Sequence, residues 1–334
     1  MQRLSSWLMN LAALVIILFG LKQAAPVVTQ MLVVLFLAIV ISPLYYVFRR
    51  WRLPSWLSLT VIIASMSLLC FYGTTVVFSG AVLEFTKNVH AYHAQFLVST
   101  GELKDWLVRQ DVDVPELFFA EITHIDATQV SVLVKQAARI SGSFFQSTIL
   151  ILIILSFVLC ELPSLPDKVR KQRWMTPSLW DRLIRIVLDV RHYMGIKTLV
   201  SLVTGILVYF GLLLMGIDSP LLLGVVAFVL NYVPMIGSII AAVPAVLIGI
   251  MQYDTLKGAY VALFYVVVNV LLGHVLEPRF MGYGFGVSPV LVLFSVVFWG
   301  WVLGPLGMLL AVPLTMAVRG AAGSMMREFA EEDL

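Results

Sequence analysis

The sequence predicts an all-α integral membrane protein with six full transmembrane helices plus two opposed re-entrant helical hairpins, and a helical extramembrane segment between spans three and four. Three observations predict it. Of 334 residues, 60% are hydrophobic and only 12% are charged, a balance that belongs to chains folded in lipid. The apolar residues collect in blocks close to the ~20 residues that cross a ~30 Å hydrocarbon core. Two of those blocks are much longer than one crossing, and proline and glycine interrupt both near their centres.

The blocks run over 7–24, 27–48, 56–79, 144–160, 196–215, 221–250, 257–276 and 287–318. The first is too long for the apolar core of a signal peptide, and a second span follows it at once. The second ends in Arg-Arg-Trp-Arg at Arg49–Arg52, the strongest cytoplasmic mark in the chain, which also puts the N-terminus inside. The third block leads outward, so 81–143 is external, with five Lys/Arg against eight Asp/Glu. The fourth returns, and 161–192 holds seven Lys/Arg against four acids, as the positive-inside rule requires.

Within the external segment Val82, Phe85, Val89, Tyr92 and Phe96 follow three-four spacing, so an amphipathic helix continues span three. Its apolar face is expected to pack on residues 117–140 or on a second copy of the chain. His90 and His93 lie one helical turn apart, and His124 is the only further histidine in the segment. Without clustered acids they lack a four-ligand zinc set, and no metal is expected. Cys70 and Cys160 both sit in or beside apolar blocks, which gives no disulfide framework.

A straight helix over 221–250 would measure about 45 Å. Asn-Tyr-Val-Pro-Met-Ile-Gly-Ser, Asn231–Ser238, breaks it at the centre. Pro234 removes an N–H and clashes with the preceding turn, and Gly237 is expected to supply the freedom to reverse direction. The halves, about thirteen residues each, are too short to cross separately, so the block dips in and returns outside. In 287–318 the break is Trp-Val-Leu-Gly-Pro-Leu-Gly, Trp301–Gly307; Glu277 and Arg279 precede this block, and Arg319 and Arg327 follow it. This second hairpin dips in from the cytoplasm, which leaves the C-terminus inside.

The breaks resemble each other. Pro234-x-x-Gly237 followed by Val243-Pro244 parallels Pro305-x-Gly307 followed by Val312-Pro313, and each hairpin follows one full span, so the two halves form an inverted repeat. Broken helices leave backbone groups that are costly in lipid unless protein or a watery cavity meets them. The candidate substrate-lining and gating residues are therefore Asn231, Pro234, Gly237 and Ser238 in the first hairpin and Gly304, Pro305 and Gly307 in the second. A structural kink covered by neighbouring helices is the plainer alternative. Tyr265, Asn269, Gly273 and Glu277 recur every fourth residue, which adds Asn269 as a polar group on one helix face. Glu277, Pro278 and Arg279 are read as a turn, with Gly282 opening the glycine-rich linker behind it. They are a latch or coupling element, or simply an interfacial ion pair.

No Gly-rich phosphate loop, HExxH or GxSxG occurs, so the chain is read as a non-enzyme without cofactors. The runs RRWRLPSWL, LCELPSLPDK, NYVPMIGSIIAAVPAVL, LEPRFMG and FWGWVLGPLGMLLAVPLT together resemble the autoinducer-2 exporter family. The resemblance implies a bacterial inner-membrane carrier that exports autoinducer-2, a small polar furanone-type sugar derivative, and it implies a pentamer. Related members are assigned to sodium or lithium for proton antiport.

The expected organisation is scaffold spans one to three (1–80), an external periplasmic helical segment (81–143), and span four with a basic cytoplasmic loop (144–192). A transport core of span-plus-hairpin repeats (193–320) and a cytoplasmic tail (321–334) follow. The reading is a secondary transporter moving a small polar solute outward by alternating access at the hairpin tips. The apolar blocks contain almost no acids, which favours a neutral solute over a cation. A sodium(lithium)/proton antiporter, an oligomeric scaffold and a passive channel are the alternatives. Expected partners are the solute, membrane lipids and further copies of the chain, and no nucleic acid.

Overall fold

The computed structural model describes residues 2–110, 148–162, 164–173, 175–281 and 288–320. Every regular element among them is helical. In chain order they are α1 (Gln2–Gln23), α2 (Ala25–Arg50), α3 (Ser55–Tyr72), α4 (Ser79–Arg109), α5 (Thr148–Glu161), α6 (Leu165–Arg170) and α7 (Pro177–Met215). Then come α8 (Pro220–Leu230), α9 (Ile236–Gln252), α10 (Thr255–Asn269), α11 (Glu277–Met281), α12 (Pro289–Leu303), α13 (Pro305–Leu309) and α14 (311–320). Two widened π-helical segments, Gly73–Phe78 and Val270–Leu276, join α3 to α4 and α10 to α11.

Among the described residues four helices are long and apolar enough to cross a membrane: Ala25–Arg50, Ser55–Tyr72, Pro177–Met215 and the continuous helix Thr255–Phe280. α5, α8, α9 and α12 are apolar but shorter. The helices expose large aliphatic and aromatic side chains, Leu68, Leu69, Phe157, Leu214 and Phe294 among them. Such a surface suits lipid and would be costly in water.

Two expectations change. Residues 177–192, read as part of a basic loop, form the first turns of α7, because Leu and Arg are good helix formers whatever their hydropathy and Thr176 Oγ1 caps the start by accepting from Leu179 N. Glu277–Met281, read as a turn, is helical. Pro278 directly follows the π segment inside the continuous helix Thr255–Phe280, so its missing N–H leaves a carbonyl of the preceding turn without a backbone donor.

The chain packs as two compact units. One comprises Met1–Ala64, Leu150–Ile196 and Tyr283–Leu334; the other comprises Ser65–Ile149 and Lys197–Gly282. The first hairpin, α8 with α9, belongs to the second unit, and α12–α14 belong to the first.

In the second unit, close helix crossings rest on glycine. A Cβ on Gly205 of α7 would lie 2.9 Å from the Gly224 carbonyl, and one on Gly224 of α8 would lie 2.8 Å from the Gly205 carbonyl. Only glycine at both positions lets the two backbones approach this closely. The ends of the hairpin are tied together. Gln252 donates to Gly216 O at 2.9 Å and to Asp218 Oδ1 at 3.0 Å, and accepts from Asp218 N at 2.9 Å. Tyr253 Oη donates to Gly216 O at 3.1 Å.

α4 grips both ends of that hairpin. Its Tyr92 donates to Asp218, its Gln95 donates to the Tyr253 carbonyl, and its Glu84 accepts from Ser219. Thr255 Oγ1 donates to Ser99 O at 3.2 Å. Val89 and Tyr92 are buried and Phe96 is partly so, the face expected from their spacing. The side chains of Val82, Phe85, His90 and His93, and residues 117–140 with His124, lie outside the described residues.

In the first unit α12 runs to Leu303, Gly304 turns with φ of +74°, and α13 and α14 return along it. Trp299 Nε1 donates to Thr315 Oγ1 at 3.0 Å across the arms. Thr29 of α2 donates at 3.4 Å to the Leu303 carbonyl at the break, and the Lys22 ammonium sits 4.3 Å above the Trp301 ring. The break thus meets protein groups rather than leaving its carbonyl unpaired.

Candidate functional site

The first break is a strained turn. α8 ends at Leu230, and Met235 before α9 takes φ of +63° and ψ of −46°. Ile236 N donates to Pro234 O at 2.7 Å, closing a three-residue γ-turn with positive φ, a rare conformation for a residue with a side chain. The reversal therefore falls on Met235, not on Gly237 as the sequence suggests. Gly237 is needed for space instead: a Cβ there would collide with the Leu230 carbonyl. Gly307 in the other unit has the same role, since a Cβ on it would collide with the Trp299 carbonyl.

Two side chains pin this tip to α7. Asn231, buried, donates from Nδ2 to Ser201 Oγ at 2.9 Å. Tyr232 Oη donates to Thr198 Oγ1 at 2.8 Å. One turn before Ser201, Lys197 donates from Nζ to both carboxylate oxygens of Glu277, at 2.7 and 2.9 Å. Its side chain is 4% exposed and that of Glu277 16%. Glu277 thus pairs with Lys197 across 80 residues of sequence, while Pro278 and Arg279 are exposed.

Beside these contacts the second unit encloses a small cleft lined by Thr204, Asn231, Ser238, Tyr265, Asn269 and Gly273, interleaved with Val208, Ala227, Ala241, Val268 and Leu272. Its free space, about 10 Å³ for the centre of a water-sized sphere, is room for one water molecule. No lining side chain carries a charge. Thr204 Oγ1 gives its proton to Val200 O at 2.9 Å and so presents an acceptor. Tyr265 is 5% exposed, and its hydroxyl has no hydrogen-bond partner among the described residues.

The π segment explains the alignment of the polar stripe. Residues four apart drift by about 40° per step in an α-helix, roughly 120° over the twelve residues from Tyr265 to Glu277. Widening the turn after Asn269 reduces that drift. Asn269 and Gly273 thus both reach the cleft while Glu277 reaches Lys197.

The structure therefore gathers Asn231, Ser238 and Asn269 around one space and places Pro234 and Gly237 in the adjoining turn. Gly304, Pro305 and Gly307 form the break in the other unit, and Gly282 lies outside the described residues. Lys197, Thr198, Ser201 and Thr204 escaped the sequence reading. Their spacing of four and three through an otherwise apolar span was the available signal.

The AI-2E family transporter model matches residues 11–326. The AI-2 transport protein TqsA of Escherichia coli is 34% identical over 317 residues, covering 92% of this chain and 89% of its own. A sodium-lithium/proton antiporter of Halobacillus andaensis is 23% identical over 342 residues, 94% of each chain. With membrane-length helices, a polar cleft within the second unit and a family match along nearly its whole length, the chain is a multi-pass membrane protein that belongs to the AI-2E family of transporters.

Proposed function

We propose that the protein is a secondary-active exporter of a small polar solute, AI-2, in the bacterial inner membrane, working by alternating access at the hairpin tips. The observation that carries this reading is the meeting of Asn231 and Ser238, from a broken apolar block, with Tyr265 and Asn269 around one uncharged cleft. Broken helices beside a polar cavity are how many secondary transporters build a midplane site. The similarity to TqsA supplies the solute.

The bound ends of the first hairpin support a re-entrant path, because a segment that starts and finishes at one level must turn back inside the bilayer. The cleft as folded is too small for a sugar-sized solute, so loading requires α8 and α9 to move from α7 and α10. Both termini are cytoplasmic in this reading, and the exposed apolar faces take lipid and further copies of the chain in a homo-oligomer, a pentamer by family resemblance.

Counterflow in proteoliposomes tests the proposal. A carrier exchanges labelled for unlabelled AI-2 with saturation. Flux without saturation would indicate a passive channel, and no flux would leave a scaffold. A second reading, sodium(lithium)/proton antiport, draws on the buried Lys197–Glu277 pair and the Halobacillus relative. Sodium-driven proton movement in the same vesicles, without AI-2 exchange, would favour it.

A further inference from the structure

We infer that the Tyr265 hydroxyl is the group that recognises a hydroxyl of the carried solute, and that the solute is neutral. The inference rests on the transport reading above and adds to it a residue and a ligand class. A buried phenol almost always finds a partner. Tyr265 is among the most buried residues of α10 and its hydroxyl has none among the described residues, although Thr204, Asn231, Ser238 and Asn269 line the same cleft. A polar atom left in this way is costly; the closed cleft has room for one water to complete it, and a solute hydroxyl takes that place when the cleft opens.

The rest of the lining defines that ligand. The nearby polar side chains are spent on protein only in part. Asn231 commits an amide hydrogen to Ser201 and keeps its carbonyl oxygen, and Thr204 commits its proton to Val200 and keeps its lone pairs. Acceptors on Asn231 and Thr204 and donors on Tyr265, Ser238 and Asn269 therefore border a space whose other walls are Val208, Ala227, Ala241, Val268 and Leu272. That mixture suits a small solute with hydroxyls on one side and carbon on the other. A bare cation would need a closed shell of oxygens, and an anion would meet no positive side chain, because the Lys197 ammonium is taken by Glu277. A charged solute would enter this lining uncompensated.

The test compares wild type with Y265F in proteoliposome counterflow, using AI-2 and an analogue lacking one hydroxyl. Y265F is expected to raise KM for AI-2 about tenfold and to lose the discrimination between the two solutes that wild type shows. Its melting temperature in detergent should stay the same or rise, because the deleted hydroxyl bonds none of the described residues. Unchanged KM and discrimination, or a melting temperature lowered by several degrees, would overturn the inference.

A second measurement does not depend on AI-2 being the cargo: thermal protection of the solubilised protein by D-ribose and, separately, by sodium chloride. Protection by ribose in wild type that disappears in Y265F supports the assignment. Protection by sodium alone, or by neither, overturns it. Wild-type vesicles that fail to exchange AI-2 while ribose protection depends on Tyr265 would sink the AI-2 assignment and leave the tyrosine assignment standing.

Discussion

Lys197 holds Glu277 by both carboxylate oxygens, at 2.7 and 2.9 Å, in a setting where the lysine is 4% and the glutamate 16% exposed. The pair joins the start of the α7 polar ladder to the end of the π segment, and so sets the height at which Asn269 and Gly273 meet the cleft. Removing one partner strands a charge away from water. K197M or E277Q should each lower stability by about 3–5 kcal/mol, read as a fall in melting temperature in detergent. The double variant K197M/E277L should recover most of the loss. Equal damage in the double variant would mean that the two residues act separately.

Gly237 and Gly307 face backbone carbonyls that cannot retreat without breaking a helix. G237A and G307A are therefore expected to cost about 1–3 kcal/mol each by overpacking. G304A has open space for its methyl, and its cost, about 1–3 kcal/mol, comes from the backbone alone, since φ of +74° with ψ of −161° is a region essentially reserved for glycine. G20A, with nothing nearby inside α1, should stabilise by up to about 1 kcal/mol. Thermal unfolding of the four variants checks the order; a harmless G237A would refute the tight closure of the first hairpin.

Burial, and after it the hydrogen bond to Asp218, push the Tyr92 phenol above its ordinary value. The folded chain then holds this proton more tightly than the unfolded chain does. The stabilisation is complete below the ordinary phenol value near 10 and is lost as pH rises beyond it. Wild-type melting temperature should consequently fall more steeply above pH of about 10 than that of Y92F. Parallel curves would show that Tyr92 is not linked to folding.

The bonds that tie Gly216 and Asp218 to Gln252 and Tyr253 put both ends of the first hairpin together. Reporter fusions ending at Asp218 and at Asp254 should report one and the same side, the outside. Opposite sides would require α8 and α9 to cross the membrane as one kinked span and would remove the re-entrant reading.

Hydropathy block length was enough to place a multi-pass helical membrane protein. Proline and glycine in long apolar runs located both breaks, because in lipid a lost backbone hydrogen bond cannot be repaired by water and such residues stand out against the run. Periodicity of four was enough to put Asn269 on the face of Tyr265, since helix geometry is local. Local rules did not reveal which residue turns the chain at the first hairpin. Met235 takes positive φ where Gly237 of α9 packs on the Leu230 carbonyl that ends α8, a contact between two helices. Nor did they reveal the partner of Glu277: an isolated carboxylate beside Arg279 reads as an interfacial pair, and only the approach of α7 brings Lys197 to it. Tyr265, too, is buried without a hydroxyl partner among the described residues. Charges and hydroxyls find their partners through space, so the tertiary structure alone decided which of them are bonded and which remain available to a solute.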